Sequence, residues 1–277
     1  MIPYSSAQCE VNPFHVGFVG GAVRFKRKFA ALSAQAMAGS LSIDTDPCIV
    51  LSVLPYNDGR RVVRILSESL GAVALWVPEG SGKKRQVGKW HPGALLELRG
   101  LTRKGSEGLI RFKEARRKFI PESMFRDVRK NAVVFFLCEL MAKLLPEESA
   151  HPEVFTLFWQ TLMRIETESN VAWIHAEFVG QLIQALGVAP ERSDFPSHDV
   201  LDLQSGEWKT EMGVAEDHLP APLGDWFVSL CEGDRSAFEC QAQERKQLIQ
   251  AQLRYLHHQM GGLREIKSYD VLEAVFA

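Results

Sequence analysis

Cys48 to Tyr56 reads CIVLSVLPY, an apolar run rich in β-branched residues, and the turn-forming Asn57, Asp58 and Gly59 close it. Such a run bounded by a turn reads as a strand. Working outward, Arg60 to Ser67 carries Val62, Val63, Ile65 and Leu66, and Gly71 punctuates before Ala72 to Val77. A glycine-rich basic loop, Glu79 to Arg85, comes next. Ala94 to Arg99 alternates in part, and Gly108 to Lys113 alternates more clearly. Short strands at this spacing, with no helical segment long enough for a βαβ crossover, predict a five-stranded antiparallel barrel, with an open sandwich as the structural rival.

After Pro121 the period changes to that of helices. Ala132 to Leu145 is apolar almost all round, as a buried helix is, and stops before Pro146. Pro152 to Met163 opens with proline in a first turn and carries Val154, Phe155, Phe158, Trp159 and Leu162. Asn170 to Leu186 repeats apolar residues at helical spacing and meets Gly187 as a stop. Residues 188–225 read as loops with one short strand around Val200 to Leu203. Ser236 to Met260 and Ser268 to Phe276 read as the last two helices. The fold class is therefore α+β, divided at 47–120 for the barrel and 121–277 for the helical domain.

Residues 1–46 fit neither domain. They hold one basic cluster, Arg24, Lys26, Arg27 and Lys28, and no clear periodicity. They are read as an extension: a disordered arm, or an upstream stretch ahead of a natural start at Met37, with a transit peptide as the third possibility.

With 277 residues, 46% hydrophobic and 24% charged, the composition excludes wholesale disorder and fibrous repeats. The longest apolar run, Ala132 to Cys138, falls far short of the ~20 residues of a membrane-spanning helix. Five scattered cysteines do not make a disulfide framework and read as reduced thiols of a cytosolic protein. The net charge of -2 conceals an asymmetry. Residues 60–130 hold 18 Lys/Arg against 7 Asp/Glu, whereas residues 131–277 hold 10 against 23. A basic half joined to an acidic one points to a polyanion-binding unit and a unit with another task.

Catalytic signatures are weak. Gly80 to Lys83 resembles part of a phosphate loop but lacks its glycine spacing, its Ser/Thr after Lys and its helix. His175 and Glu177 match half of a zinc-deaminase signature with no Pro-Cys-x-x-Cys to follow. His257 and His258 point about 100° apart on a helix, which does not suit one metal. Cys231 and Cys240 have no paired cysteines elsewhere. Glu147-Glu148 and Glu216-Asp217 are adjacent pairs rather than convergent sets and read as solvated surface. No catalytic residue, metal or cofactor is assigned.

The positive signal is cationic. Lys83, Lys84, Arg85 and Lys89 lie in or beside one loop of the barrel, and Arg99, Arg103 and Lys104 flank the next turn. Arg111 and Lys113, two apart on a strand, share a face. Arg116, Arg117 and Lys118 follow as the chain leaves the barrel, and Arg126, Arg129 and Lys130 open the helical part. Cationic loops on such a barrel form a groove that tracks a phosphate backbone. Trp76, Trp90 and Phe112 are candidates for base stacking, with Trp90 the best placed beside the basic loop. No recognition-helix or zinc-finger pattern supports sequence-specific reading.

From Cys48 to about Pro190 the succession of segments resembles RecO, the bacterial recombination mediator family. It runs through Ile49-Val-Leu, Pro55, Tyr56 and Asp58, then Leu66-Ser-Glu and Gly71, then Leu95-Leu-Glu-Leu. It continues with Glu139-Leu-Met-Ala-Lys-Leu-Leu-Pro-Glu-Glu, Pro152-Glu-Val-Phe and Phe178 to Gly187. The tail, with Tyr255, His257, Ile266, Ser268, Val271 and Leu272, is similar to the ending of members without a zinc site. The resemblance implies an OB-fold barrel over 47–120, binding to single- and double-stranded DNA, and annealing of complementary strands. It also implies partnership with RecR and with the C-terminal tail of single-stranded-DNA-binding protein, so that RecA is loaded indirectly. It implies a bacterial, cytoplasmic, nucleoid-associated protein. Many members carry a four-cysteine zinc site, but residues 188–225 contain no cysteine, so zinc is not expected. An apolar pocket for the peptide tail is sought near Phe155, Trp159 and Lys143. Two rival classes stay open: a nuclease or other nucleic-acid enzyme, and an adaptor that binds no DNA.

Overall fold

The computed structural model describes residues 41–56, 60–78, 89–103, 110–192, 199–210, 217–235 and 241–276. Five strands come first: β1 (Leu41–Tyr56), β2 (Arg60–Ser67), β3 (Gly71–Pro78), β4 (Leu95–Arg103) and β5 (Glu114–Arg117). They form one antiparallel sheet in the order β3-β2-β1-β4-β5. Among the described residues the curl is joined at its open edge by one parallel bridge, Leu75 to Ile110, rather than by a ladder. This is the five-stranded, partly open form of an OB-type barrel.

Strand β1 decides how the rest assembles. Cys48 and Val50 point into the barrel core with Val63, Ile65, Leu75, Leu96 and Leu98. Ile49 and Leu51 point the other way, into the core of the helical domain with Leu66, Ala72 and Leu95. A strand buried on both faces loses its polar alternation, which is why CIVLSVLPY is so uniformly apolar. The register slips by one residue between Val50 and Ser52, a β-bulge. Beyond the bulge the phase reverses: Val53 packs on the barrel core, while Ser52 and Leu54 lie on the outer face.

The first strand begins at Leu41, not at 47 as expected. Among the described residues, 41–46 pair with β4, from Leu41–Arg103 to Asp46–Leu98, and not with β2. They lack the apolar signature because their buried member is polar. The Asp46 carboxylate is fully buried and accepts from the Ser67 hydroxyl and from the Ser69 amide and hydroxyl. Of the expected extension over residues 1–46, residues 1–40, Met37 included, lie outside the described residues, as does the turn at Asn57–Gly59.

The fifth strand also differs in position. It was expected over Gly108 to Lys113, but its ladder runs over Glu114–Arg117, and Ile110 and Arg111 make only isolated bridges. Both stretches keep one register against β4, since Thr102–Arg111 and Arg99–Glu114 lie three residues apart on each strand. The break between them sits at Gly100, whose φ is +59°. A Cβ there would lie 2.7 Å from the Lys113 side chain, so only glycine lets Lys113 fold across the strand. At this irregularity the inward side of β4 steps from Leu98 to Leu101, and that of its partner from Phe112 to Ala115.

The helices follow: α1 (Val128–Leu144), α2 (Pro152–Thr167), α3 (Ile174–Ala185), α4 (Leu223–Glu232), α5 (Ala242–Gln259) and α6 (Ser268–Phe276). The segment read as loops around residues 188–225 contains more order than expected. The predicted strand is β6 (Asp199–Asp202), and it is flanked by β7 (Trp208–Thr210) and β8 (His218–Pro220). Three- and four-residue strands give too short a period to read from sequence. Helix α4 escaped notice because Pro220, Pro222 and Gly224 crowd its start.

Between the units, the turn after α1 wedges onto the barrel. The Glu148 amide donates to the Ala72 carbonyl at 2.9 Å, and the Glu148 carboxylate accepts from the buried Arg103. Glu147 lies 3.6 Å from Arg64. A Cβ at Gly71, where φ is +75°, would fall 2.0 Å from the Ser149 carbonyl oxygen. The acidic pair is exposed, as expected, and it also bridges the two cores through the Glu148 amide and the ion pairs to Arg64 and Arg103.

Candidate nucleic-acid interface

The cations divide into three groups by what they touch. Arg103 and Lys130 are buried, at 7% and 6% exposure. Arg103 serves Glu148 as described. The Lys130 ammonium donates to the Ser123 hydroxyl at 2.8 Å and the Glu166 carbonyl at 2.7 Å. The Glu166 carboxylate accepts the amides of Glu122, Ser123 and Met124, which hold its carboxyl below the usual range although partial burial acts the other way. Lys130 therefore belongs to a polar knot that fixes the linker between barrel and helices onto the end of α2. Its position next to Asp127, the N-cap of α1, turns it inward, and strand-and-helix reading had no means of seeing the partner 36 residues away.

A second group lines the outer face of the β4–β5 hairpin. Arg99 Nη2 lies 3.0 Å and Lys118 Nζ 2.8 Å from the Glu97 carboxylate, and Arg116 Nε lies 2.8 Å from Glu114. The Lys118 and Arg99 hydrogen bonds hold the Glu97 carboxyl low, and Arg116 does the same for Glu114. Arg116 and Lys118 are exposed despite these pairings. Exposed pairs of this kind are weak, so their cations remain open to a stronger anion.

The third group carries uncompensated charge. Arg111, Lys113 and Arg117 are exposed and make no ion pair with another described residue. Lys89 reaches across to donate its ammonium to the Ala115 carbonyl of β5. Its pKa is lowered by burial and then by the like charge of Arg117, with Glu114 opposing. Burial, with Arg117 again contributing, also lowers His91. Two like charges held close favour an incoming anion.

The hairpin thus brings together Lys89, Arg111, Lys113, Arg116, Arg117 and Lys118. Arg126 and Arg129 are exposed at the start of α1, on the helical domain, where Arg129 lines a cavity of about 210 Å³ with Asn170, Val171 and Phe276. Lys83, Lys84, Arg85 and Lys104 lie outside the described residues. Of the aromatic candidates, Trp90 and Phe112 stack on each other at 5.7 Å and pack against the barrel core. Trp76 instead meets Tyr56, a residue the sequence reading had not weighed for this role, at 4.6 Å.

Other expected features have internal partners. Lys143 binds Glu139 and the Glu265 carbonyl, Phe155 is buried, and Trp159 packs against it at 5.7 Å. His175 is buried among Phe136 and Phe276 rings, and burial lowers its pKa to about 3. Cys48, Cys138 and Cys231 are buried free thiols, whose pKa burial raises. Among the described residues no helix is long and apolar enough to cross a membrane, and no group of three or more His, Cys, Asp or Glu comes together as metal ligands.

Residues 126–194 match the family model described as "Recombination protein O C terminal". A DNA repair protein RecO from Azobacteroides pseudotrichonymphae is 27% identical over 235 residues, covering 82% of this chain and 97% of the relative. The RecO of Bacteroides fragilis is 30% identical over 159 residues, covering 56% and 65%. That of Flavobacterium psychrophilum is 22% identical over 234 residues, covering 83% and 97%. Over most of its length the chain is similar to DNA repair proteins of the RecO family, whose members diverge widely from it.

Proposed function

We propose that this protein acts in DNA repair as a recombination mediator: it binds single- and double-stranded DNA on the barrel and anneals complementary strands. The reading includes help in loading RecA onto strands coated with single-strand-binding protein, together with RecR, in the bacterial cytoplasm at the nucleoid. The barrel of residues 47–120 holds the polynucleotide, and the acidic helical unit of residues 121–277 repels it and leaves its surface to protein partners. Similarity to RecO proteins supports the repair role, and the observation that carries the DNA reading is the exposed charge of Arg111, Lys113 and Arg117 on one hairpin, with no ion pair to another described residue.

The mechanism needs no covalent step. Cations on the hairpin neutralise phosphates and release counterions, and two strands neutralised on one surface repel each other less. Engagement of about five phosphates of a single strand gives a log–log salt slope of roughly -3 to -4. The test is annealing of complementary oligonucleotides coated with single-strand-binding protein, measured across a salt series. Reversing charge at Lys113, Arg116 and Arg117, or at Lys83, Lys84 and Arg85 of the adjoining loop, is expected to flatten that slope and slow annealing. Unchanged DNA affinity in both variants overturns the reading in favour of an adaptor. Strand cleavage by the purified protein with Mg²⁺ overturns it in favour of a nuclease.

A further inference from the structure

Building on the barrel as a single-strand-binding surface, we propose that Tyr56 and Trp76, seated on Leu54 and Val62, form a stacking platform for unpaired nucleobases. The platform lies on the outer face of β1, β2 and β3, on the far side of the bulge at Leu51.

Register places it there. Leu54 pairs with Val62, and Val62 with Trp76, so the three occupy one row across three strands. Tyr56 is two residues beyond Leu54 on the same face. The opposite face is filled by Val53, Val63, Leu75 and Val77, so these side chains are not barrel core. The apolar core of the helical domain covers the outer face as far as Leu51, Leu66 and Ala72, and Glu147 reaches the next row at Arg64. Leu54 and Tyr56 are consequently 60% and 53% exposed, beside a half-buried Trp76. The Tyr56 and Trp76 rings meet edge to face at 72°, so Trp76 holds the exposed Tyr56 ring, which is the surface offered to a third planar group.

The surroundings choose the occupant. The next row on the same face is Ser52, Arg64 and Ala74. Arg64 Nε has no hydrogen-bond partner, and its guanidinium lies 3.6 Å from Glu147. A cation one row from two aromatic rings suits a ligand with a flat apolar face and a negative backbone, and a nucleotide strand is that ligand. Every base has such a face, so the platform ranks bases weakly and works on any sequence, as annealing requires. A duplex keeps its bases stacked internally and gains nothing here.

The experiment measures binding of labelled oligo-dT, of the same oligonucleotide with abasic sites, and of a duplex, by fluorescence anisotropy. Tyr56→Ala is expected to weaken oligo-dT binding on the order of tenfold, with Tyr56→Phe close to wild type, duplex binding retained and the salt slope unchanged. The abasic strand is expected to bind wild type as weakly as oligo-dT binds Tyr56→Ala, with no further loss in that variant. Tyr56→Leu keeps apolar area without the ring and reports the same loss if Tyr56→Ala proves unstable. Undiminished oligo-dT affinity in both variants, with wild type binding DNA, sinks the platform alone and makes the patch a protein contact. Equal losses for duplex and single strand also sink it. Failure of wild type to bind any DNA sinks the broader reading instead.

Discussion

Glu139 shows how one side chain in a family-like motif acts through packing alone. It stands on α1, yet its carboxylate accepts the Ser268 amide at 2.8 Å, the Lys267 amide at 3.1 Å and the Ser268 hydroxyl, and it pairs with Lys143. It is the cap that α6 takes from another helix. Partial burial alone would raise its pKa, but Lys143 and the Ser268 and Lys267 donors hold it at about 2. The folded pKa is depressed, so the stabilisation is present above the unfolded value of about 4.3 and is lost as pH falls toward 2. Glu139→Gln is expected to cost about 1–2 kcal/mol at neutral pH and to flatten the loss of stability below about pH 4.5. Chemical denaturation from pH 7 to pH 3 checks it. A variant whose acid limb parallels wild type removes the capping role.

Secondary elements separate structural cations from exposed ones. Lys130 follows the exposed Arg129 on α1, and by sequence it is indistinguishable from a DNA contact. Its burial follows from α1 emerging against the end of α2, where the Glu166 carbonyl and Ser123 hydroxyl wait. Lys130→Met is expected to lower stability by about 1–3 kcal/mol by leaving those acceptors unpaired, while the folded protein's DNA affinity and salt slope stay unchanged. Arg117→Ala, which breaks no ion pair, is expected to do the reverse: no change in melting, and a salt slope reduced by about 0.7. Parallel melting and titration series separate the two outcomes. The β4–β5 hairpin was similarly half legible. Alternation announced that Arg111 and Lys113 share a face, but the glycine-centred step at Gly100 shifts the ladder to Glu114–Arg117.

Taken whole, the molecule is two hydrophobic cores sharing one strand. Cys138 on α1 donates its thiol to the Val50 carbonyl at 3.6 Å, and the Glu147–Ser149 turn closes onto Gly71 and Ala72. Such a joint couples the barrel to the helices, and both are expected to melt in one transition. Gly71→Ala, which places a methyl against the Ser149 carbonyl at a left-handed φ, is expected to cost at least about 2 kcal/mol and to split that transition. Calorimetry decides it, and a single sharp transition in the variant contradicts the coupling.

The succession of a strand-built half and a helical half, the basic-then-acidic charge and the family resemblance were determined by the linear chain. Strand alternation, helical period and net charge are local or additive, and they survive without a fold. Which cations face solvent was decided only in three dimensions. Arg103 and Lys130 found partners 45 and 36 residues away, the exposed Glu148 gained Arg103 as its partner, and a one-residue bulge brought Leu54 and Tyr56 outside. A buried charge needs a partner wherever the chain supplies one, and a strand's face depends on every irregularity before it, so neither can be read position by position.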